Sequence, residues 1–262
     1  AGHLRPDAQV ITRVADRWEG FSVSRLVAIA KALPEVAPER GPLGFEQWMA
    51  ALRKVQGGAG QRNHAPRKIE ELILAPATRD ALSLLAARML ALETSEKLGA
   101  TLPRGVLFYG PPGTGKTVAA QALTEAAGWA CLVASGAEMA NDHEKLPELV
   151  RKAADLRPCV LFIDEADDLL RSRAFGQRAE SLNRLLTLLD GAGTPLRDVM
   201  LIAATNHPDQ VDPALLRAGR FTEKLLFEPP DRQGLRLAAE RWLATRPVEV
   251  EAALIVDLVE KM

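Results

Sequence analysis

Gly110-Pro111-Pro112-Gly113-Thr114-Gly115-Lys116-Thr117 fits the pattern GxxxxGK[ST], and these residue types at this spacing are suited to holding a polyphosphate. Glycines let successive backbone N–H groups turn inward around phosphate oxygens, with no Cβ in the way. A helix starting near Lys116 would add the positive end of its dipole. Lys116 is placed to reach the β- and γ-phosphates, the Thr117 hydroxyl to ligate Mg²⁺, and Val118 to follow beside the nucleotide.

The second chemical candidate is Val160-Leu161-Phe162-Ile163-Asp164-Glu165, an apolar run ending in two acids. Successive strand side chains point to opposite faces, so the two carboxylates should have different roles. Asp164 is assigned to Mg²⁺ through water, and Glu165 to polarising an attacking water as general base. Asp167 and Asp168 follow, as a solvated acidic turn would. Asn206 ends another apolar run, where an amide could hold the lytic water or sense a γ-phosphate; an Asn turning the chain before Pro208 is the plainer alternative. Arg217 and Arg220 flank Gly219. Their spacing alone favours a solvated face or internal salt bridges over fingers that neutralise a transferred phosphoryl group.

These residues need elements to position them. Gly105 to Tyr109, Pro158 to Asp164 and Val199 to Thr205 read as buried strands. Lys116 to Ala127, Leu146 to Asp155 and Ala179 to Asp190 read as the helices between them. Alternation of that kind predicts an α/β fold with a parallel sheet covered on both faces. A long helix is expected from Thr78 to Lys97, then a loop through Gly99 and Pro103. The first 57 residues carry three helical patterns and no strand signal. Ser22 is an N-cap after Phe21, Pro34 to Gly44 is a loop, and Gly57-Gly58 stops the third helix. Gly57 to Pro66 reads as a linker. After Pro229-Pro230 the pattern is again helical, with Leu235, Ala238, Ala239 and Trp242 on one face.

Hydrophobic residues make up 47% of the 262 and charged residues 26%, as expected of a folded chain with a sizeable core. A net charge of −1 offers no electrostatic argument for nucleic acid or an anionic membrane. The longest apolar run, Ala81 to Leu92, contains Arg88 and is too short to span a bilayer. Cys131 and Cys159 sit in apolar stretches as buried thiols, with no disulfide framework, which fits a reducing cytoplasm. His3, His64, His143 and His207 are scattered and no HExxH pair occurs, against a histidine metal site. The chain opens on Ala rather than Met, as a processed or excised piece would.

Taken in order, these motifs resemble the AAA subfamily of AAA+ ATPases. The resemblance is carried by Leu98-Gly99, by Pro103 to Thr117, by Leu161 to Asp167, by Ala204-Thr205-Asn206 and by Val211-Asp212-Pro213-Ala214-Leu215-Leu216-Arg217 to Phe221, the last similar to a second region of homology. It runs from about Ile69 to Pro230. The resemblance implies a P-loop core that binds ATP with Mg²⁺ and hydrolyses it. Asn206 would be the sensor-1 residue. Arg217 and Arg220 would act in trans on a neighbour's ATP within a ring, most often hexameric. It also implies a domain plan: residues 1–57 similar to the lid of a preceding module, 58–68 a linker, 69–230 the core, and 231–262 the start of a second lid.

Two positions depart from the family. After Ser135-Gly136-Ala137-Glu138 the family places an aromatic-aliphatic-glycine pore loop, whereas Met139-Ala140-Asn141-Asp142-His143 is shorter and has no aromatic. The family's glycine beside the adenine falls on about Leu74. The expected function is ATP hydrolysis that remodels a protein partner, without a nucleic-acid partner. A nucleotide-gated scaffold and a DNA-handling motor are the alternatives.

Overall fold

The computed structural model describes residues 8–36, 43–56, 68–99, 101–142, 144–171, 177–191, 197–244 and 256. The expected linker apart from Lys68, most of the second lid and three of the histidines (3, 64 and 143) lie outside those residues. Three helices come first: α1 (Ala8–Arg17), α2 (Val23–Val36) and α3 (Phe45–Gln56). The Ser22 hydroxyl caps α2 by accepting from the Arg25 amide at 3.3 Å. Pro34 does not end α2, which continues to Val36.

A single turn of 3₁₀ helix (Ile69–Glu71) leads into α4 (Pro76–Leu90) and α5 (Leu92–Lys97). The expected single helix is therefore two. Ala91 leaves the helical region (φ −96°, ψ 49°), and the break turns Leu92 into the core, 3% exposed.

Then come β1 (Gly105–Tyr109), α6 (Lys116–Ala127), β2 (Ala130–Ser135), α7 (Gly136–Asn141), α8 (Lys145–Leu156), β3 (Cys159–Asp164), α9 (Asp167–Leu170), α10 (Gln177–Asp190), β4 (Val199–Thr205), β5 (Phe221–Leu226) and α11 (Arg232–Leu243). The five strands pair in the order β2-β3-β4-β1-β5, all parallel. The α/β fold with a covered parallel sheet is as the alternation predicts. Alternate side chains divide the core between two layers. Val106, Phe108, Val160, Phe162, Ile202 and Ala204 face α4 and α6. Leu107, Leu161, Ile163, Leu201 and Ala203 face α7 to α10. No helix among the described residues is long and apolar enough to cross a membrane.

The first three helices pack at the edge of the sheet where the strands begin, and share one continuous hydrophobic cluster with the α4/α6 layer. Polar contacts fix the junction. Arg17 forms a two-pronged pair with Asp198, just before β4, with Nε at 2.6 Å from Oδ2, and a further bond to Glu96 at 2.8 Å. Burial opposes the Arg17 charge, but its two carboxylate partners outweigh it and raise its pKa. Before β3, the Arg157 carbonyl accepts from Gln56 at 2.6 Å and from Arg25 at 2.7 Å. The Arg25 guanidinium lies 3.9 Å from the centre of the Phe21 ring, and that of Arg157 lies 5.1 Å from it.

Arg17 and Asp198 side chains are only 9% and 5% exposed, so removing one leaves the other charge stranded. Arg17→Ala should lower unfolding free energy by about 3–5 kcal/mol in urea titration. A loss below about 1 kcal/mol would mark the pair as no stronger than a surface contact.

Candidate functional site

The strand order sets β4 between β3 and β1, so the loops leaving all three open side by side. The loop after β1 is shaped by backbone proximity. At Gly110 (φ 143°), a Cβ would come within 2.1 Å of the Phe227 carbonyl oxygen. The Gly110 amide donates to Thr205 O at 3.3 Å, and Phe227 N donates to Tyr109 O at 2.8 Å. Gly115 caps α6 in the left-handed region, φ 90°, a conformation that other residues adopt only at a cost. Between them, Pro111, Pro112 and Gly113 are exposed. Thr114 is buried and donates to Pro111 O at 2.9 Å.

Lys116 opens α6 with its ammonium group inside the loop, 2.7 Å from both Gly110 O and Pro111 O. Burial lowers its pKa, opposed by the charges of Asp164 and Asp167. An anion at this point would stabilise the ammonium further. The Thr117 hydroxyl donates to Asp164 Oδ2 at 2.7 Å, joining the loop after β1 to the end of β3. A hydroxyl and a carboxylate in contact form a hard oxygen donor set of the kind Mg²⁺ takes alongside phosphate oxygens.

Glu165 is exposed and stands in the left-handed region at φ 49°, with its amide donating to Asp164 Oδ1 at 3.0 Å. Non-glycine residues seldom adopt this conformation, which costs about 1–3 kcal/mol and is concentrated at functional sites. Asn206, at the end of β4, is half-buried, and its Oδ1 is buried with no hydrogen-bond partner among the described residues. An orphaned acceptor beside a phosphate loop fits a missing ligand donor, such as water.

The two arginines differ. Arg217 is exposed. Arg220 is held within its own chain: Nε and Nη2 bond the Asp190 carboxylate at the end of α10 at 2.6 and 2.8 Å, and Nη1 donates to Ala214 O at 2.6 Å. These bonds hold the Asp190 carboxyl below its ordinary pKa and raise that of Arg220. Among the described residues, an internal salt bridge, one of the plain readings of the pair, applies to Arg220.

Beside the loop lies a cavity of about 770 Å³, lined by Leu72, Ile73, Leu74, Gly113 to Gly115, Val118, Ala238, Arg241 and Trp242. Its apolar wall and its volume suit a nucleoside. Arg241 donates to Glu71 O, clamping α11 against the segment before α4. The sequence places Trp242 on a helix face, and no motif marks Arg241 or Trp242 as cavity lining. Their one signal was position, on the first helix after the core. Cys131 and Cys159 are buried; desolvation raises both thiols, Cys131 to about 11, which leaves them inert. No cluster of three or more His, Cys, Asp or Glu side chains able to hold a metal occurs among the described residues.

A parallel sheet of this order, with a GxxxxGK[ST] loop leading into a helix and an acid-tipped neighbouring strand, defines a P-loop nucleotide-binding protein. Residues 106–229 match the ATPase family associated with various cellular activities (AAA), and this core is an AAA ATPase domain. The chain is 42% identical over 149 residues to an ATP-dependent zinc metalloprotease FtsH of Rhodothermus marinus, covering 52% of this chain and 21% of that protein. It is 39% identical over 179 residues to FtsH 1 of Symbiobacterium thermophilum, covering 64% and 29%. It is 39% identical over 170 residues to FtsH 4 of Synechocystis sp., covering 59% and 27%. The chain thus spans less than a third of the length of these relatives.

Because a Cβ at residue 110 meets backbone, not a movable side chain, Gly110→Ala must displace the loop. It should weaken Mg-ATP affinity by roughly tenfold or more, the scale of overpacking, in a fluorescent-nucleotide titration. Undiminished affinity would separate the loop from binding.

Proposed function

We propose that this module binds ATP at Gly110 to Thr117 with Val118, hydrolyses it, and couples the cycle to remodelling of a protein partner within a ring. The observation that carries the proposal is the junction of three strand ends: the Lys116 loop, the Thr117–Asp164 contact at 2.7 Å and the unpartnered Asn206 Oδ1. Adenine would enter the cavity between Ile73-Leu74 and Trp242, whose side chains line it together. Thr117 and Asp164 would hold Mg²⁺, whose chemistry is to neutralise and fix the phosphate oxygens.

Glu165 would accept a proton from water as that water attacks the γ-phosphorus. The bond to the β–γ bridging oxygen breaks, giving ADP and phosphate. Asn206 Oδ1 would accept the second hydrogen bond of the attacking water. Charge growing on the phosphoryl oxygens would be met by Arg217 of a neighbouring copy, with Arg220 joining only on leaving Asp190. A ring, of six copies by the family's habit, in the cytoplasm is the assembly this reading requires. Residues 1–57 would be the lid of a preceding module and 231–262 the start of this one's own.

A nucleotide-gated scaffold is the second reading, favoured by one observation. α7 ends at Asn141 and α8 begins at Lys145, and the Glu144 amide donates to Asp142 Oδ1 at 2.9 Å. So short and acidic a turn offers no aromatic grip on a polypeptide. Turnover measured together with unfolding of a tagged substrate separates the two: the scaffold shows little of either.

Glu165→Gln should bind ATP with wild-type affinity while kcat falls about 10²–10⁴-fold, the usual share of a general base; full turnover removes Glu165 from that role. Specific ATPase activity should rise with protein concentration. Arg217→Ala should suppress it with binding and thermal stability intact. Turnover that is independent of concentration in a strict monomer would end the trans mechanism. Arg220→Ala should also suppress turnover but is less diagnostic, because it removes the Asp190 pair as well.

A further inference from the structure

Asp167 is the first residue of α9, just past the turn that bears Glu165, and it is half-buried and engaged, where its acidic neighbourhood implies a freely solvated acid. One carboxylate oxygen, Oδ1, accepts three hydrogen bonds, all from the end of β4. They come from the Thr205 hydroxyl at 2.6 Å, the Asn206 amide at 3.0 Å and the His207 amide at 3.2 Å. Two more bonds complete the joint. Ala166 N donates to Ala204 O at 2.7 Å, and His207 N is shared with Thr205 Oγ1 at 3.0 Å. The Asn206 backbone is therefore fixed from the β3 side, while its side-chain oxygen stays unpartnered.

We infer that Asp167 is a positioning residue for hydrolysis. It ties the Asn206 turn to the Glu165 turn, so that the acceptor for the water and the base that deprotonates it keep one fixed separation. The inference rests on the ATPase reading above. The physical grounds are local. Parallel strands end without a connecting hairpin, so beyond Ile163 and Ala203, their last paired residues, the relative height of the two loops is set by the Ala166–Ala204 backbone bond and by the three bonds to Asp167. A charged acceptor makes shorter and stronger bonds than a neutral one. An aspartate has the reach for two consecutive amides and a hydroxyl at once. In-line attack is sensitive to misplacement of this kind, on the order of 10²-fold for about 1 Å.

The test uses the full chain and Mg-ATP, at a protein concentration on the activity plateau. Asp167→Ala should lower kcat by about tenfold to a hundredfold, with the Kd for a fluorescent ATP analogue within about threefold of wild type. Asp167→Asn keeps an acceptor oxygen without the charge and should fall between the two. Hydrogen exchange should accelerate at the Asn206 and His207 amides in Asp167→Ala. Wild-type kcat in Asp167→Ala overturns the proposal, as does equal loss of kcat and binding in Asp167→Asn. If Asp167→Ala does not fold, Thr205→Val decides, since it removes one donor at near-constant volume. Its kcat should fall several-fold, and an unchanged kcat overturns the role. If the wild-type protein shows no turnover, it is the ATPase reading that fails. The exchange measurement then still tests the tether, which unaltered Asn206 and His207 protection in Asp167→Ala would refute.

Discussion

Parallel pairing of β4 with β1 on one side and β3 on the other is the constraint from which the site follows. It sets Tyr109 beside Thr205 and Ile163 beside Ala203, so three loops leave the sheet at one height. Parallel strands place like ends together, and their unpaired backbone groups must find partners in those loops. Here the partners are the site itself. Gly110 N binds Thr205 O, Ala166 N binds Ala204 O, and Phe227 N binds Tyr109 O. The phosphate loop, the acid-bearing turn and the Asn206 turn are in this sense extensions of the ladder, which gives them its rigidity.

The opposite end of the sheet is closed by the first three helices. The chain segments entering β3 and β4 there expose the Arg157 carbonyl and the Asp198 carboxylate. Both are taken by side chains of α1, α2 and α3: Arg17, Arg25 and Gln56. Apolar residues of the same helices join the cluster beneath α4 and α6. The helical unit and the core therefore share packing as well as polar contacts.

The site was legible in the sequence to the extent that its chemistry is local. A phosphate loop needs glycines and a lysine within a few residues, and β3 ends on its acids with no gap, so pattern alone located both. Edge strands were harder. β5 carries Glu223 and Lys224 on an edge partly open to solvent, and charged edges break the apolar run that marks buried strands. β2 has the short sequence ACLVAS, too brief to be told from a helix start. Long-range pairing left no signal. The Asp167 joint, the Asp190 hold on Arg220 and the Arg17–Asp198 pair link residues 30 to 181 positions apart, and single-sequence periodicity carries no information at such separations. Pro34 inside α2 and the break at Ala91 depart from the local pattern for the converse reason: a local preference gives way to tertiary packing.

Of the four tryptophans, Trp18 and Trp129 are buried, and Trp18 stacks edge-on with Trp48 in the first helical unit. Trp242 alone lines the cavity by the phosphate loop and is 46% exposed. If a nucleoside takes that cavity, the chain carries a built-in optical label: the fourth indole would change its surroundings on filling, against the background of the other three. Emission from Trp242 can follow occupancy in real time with no attached dye.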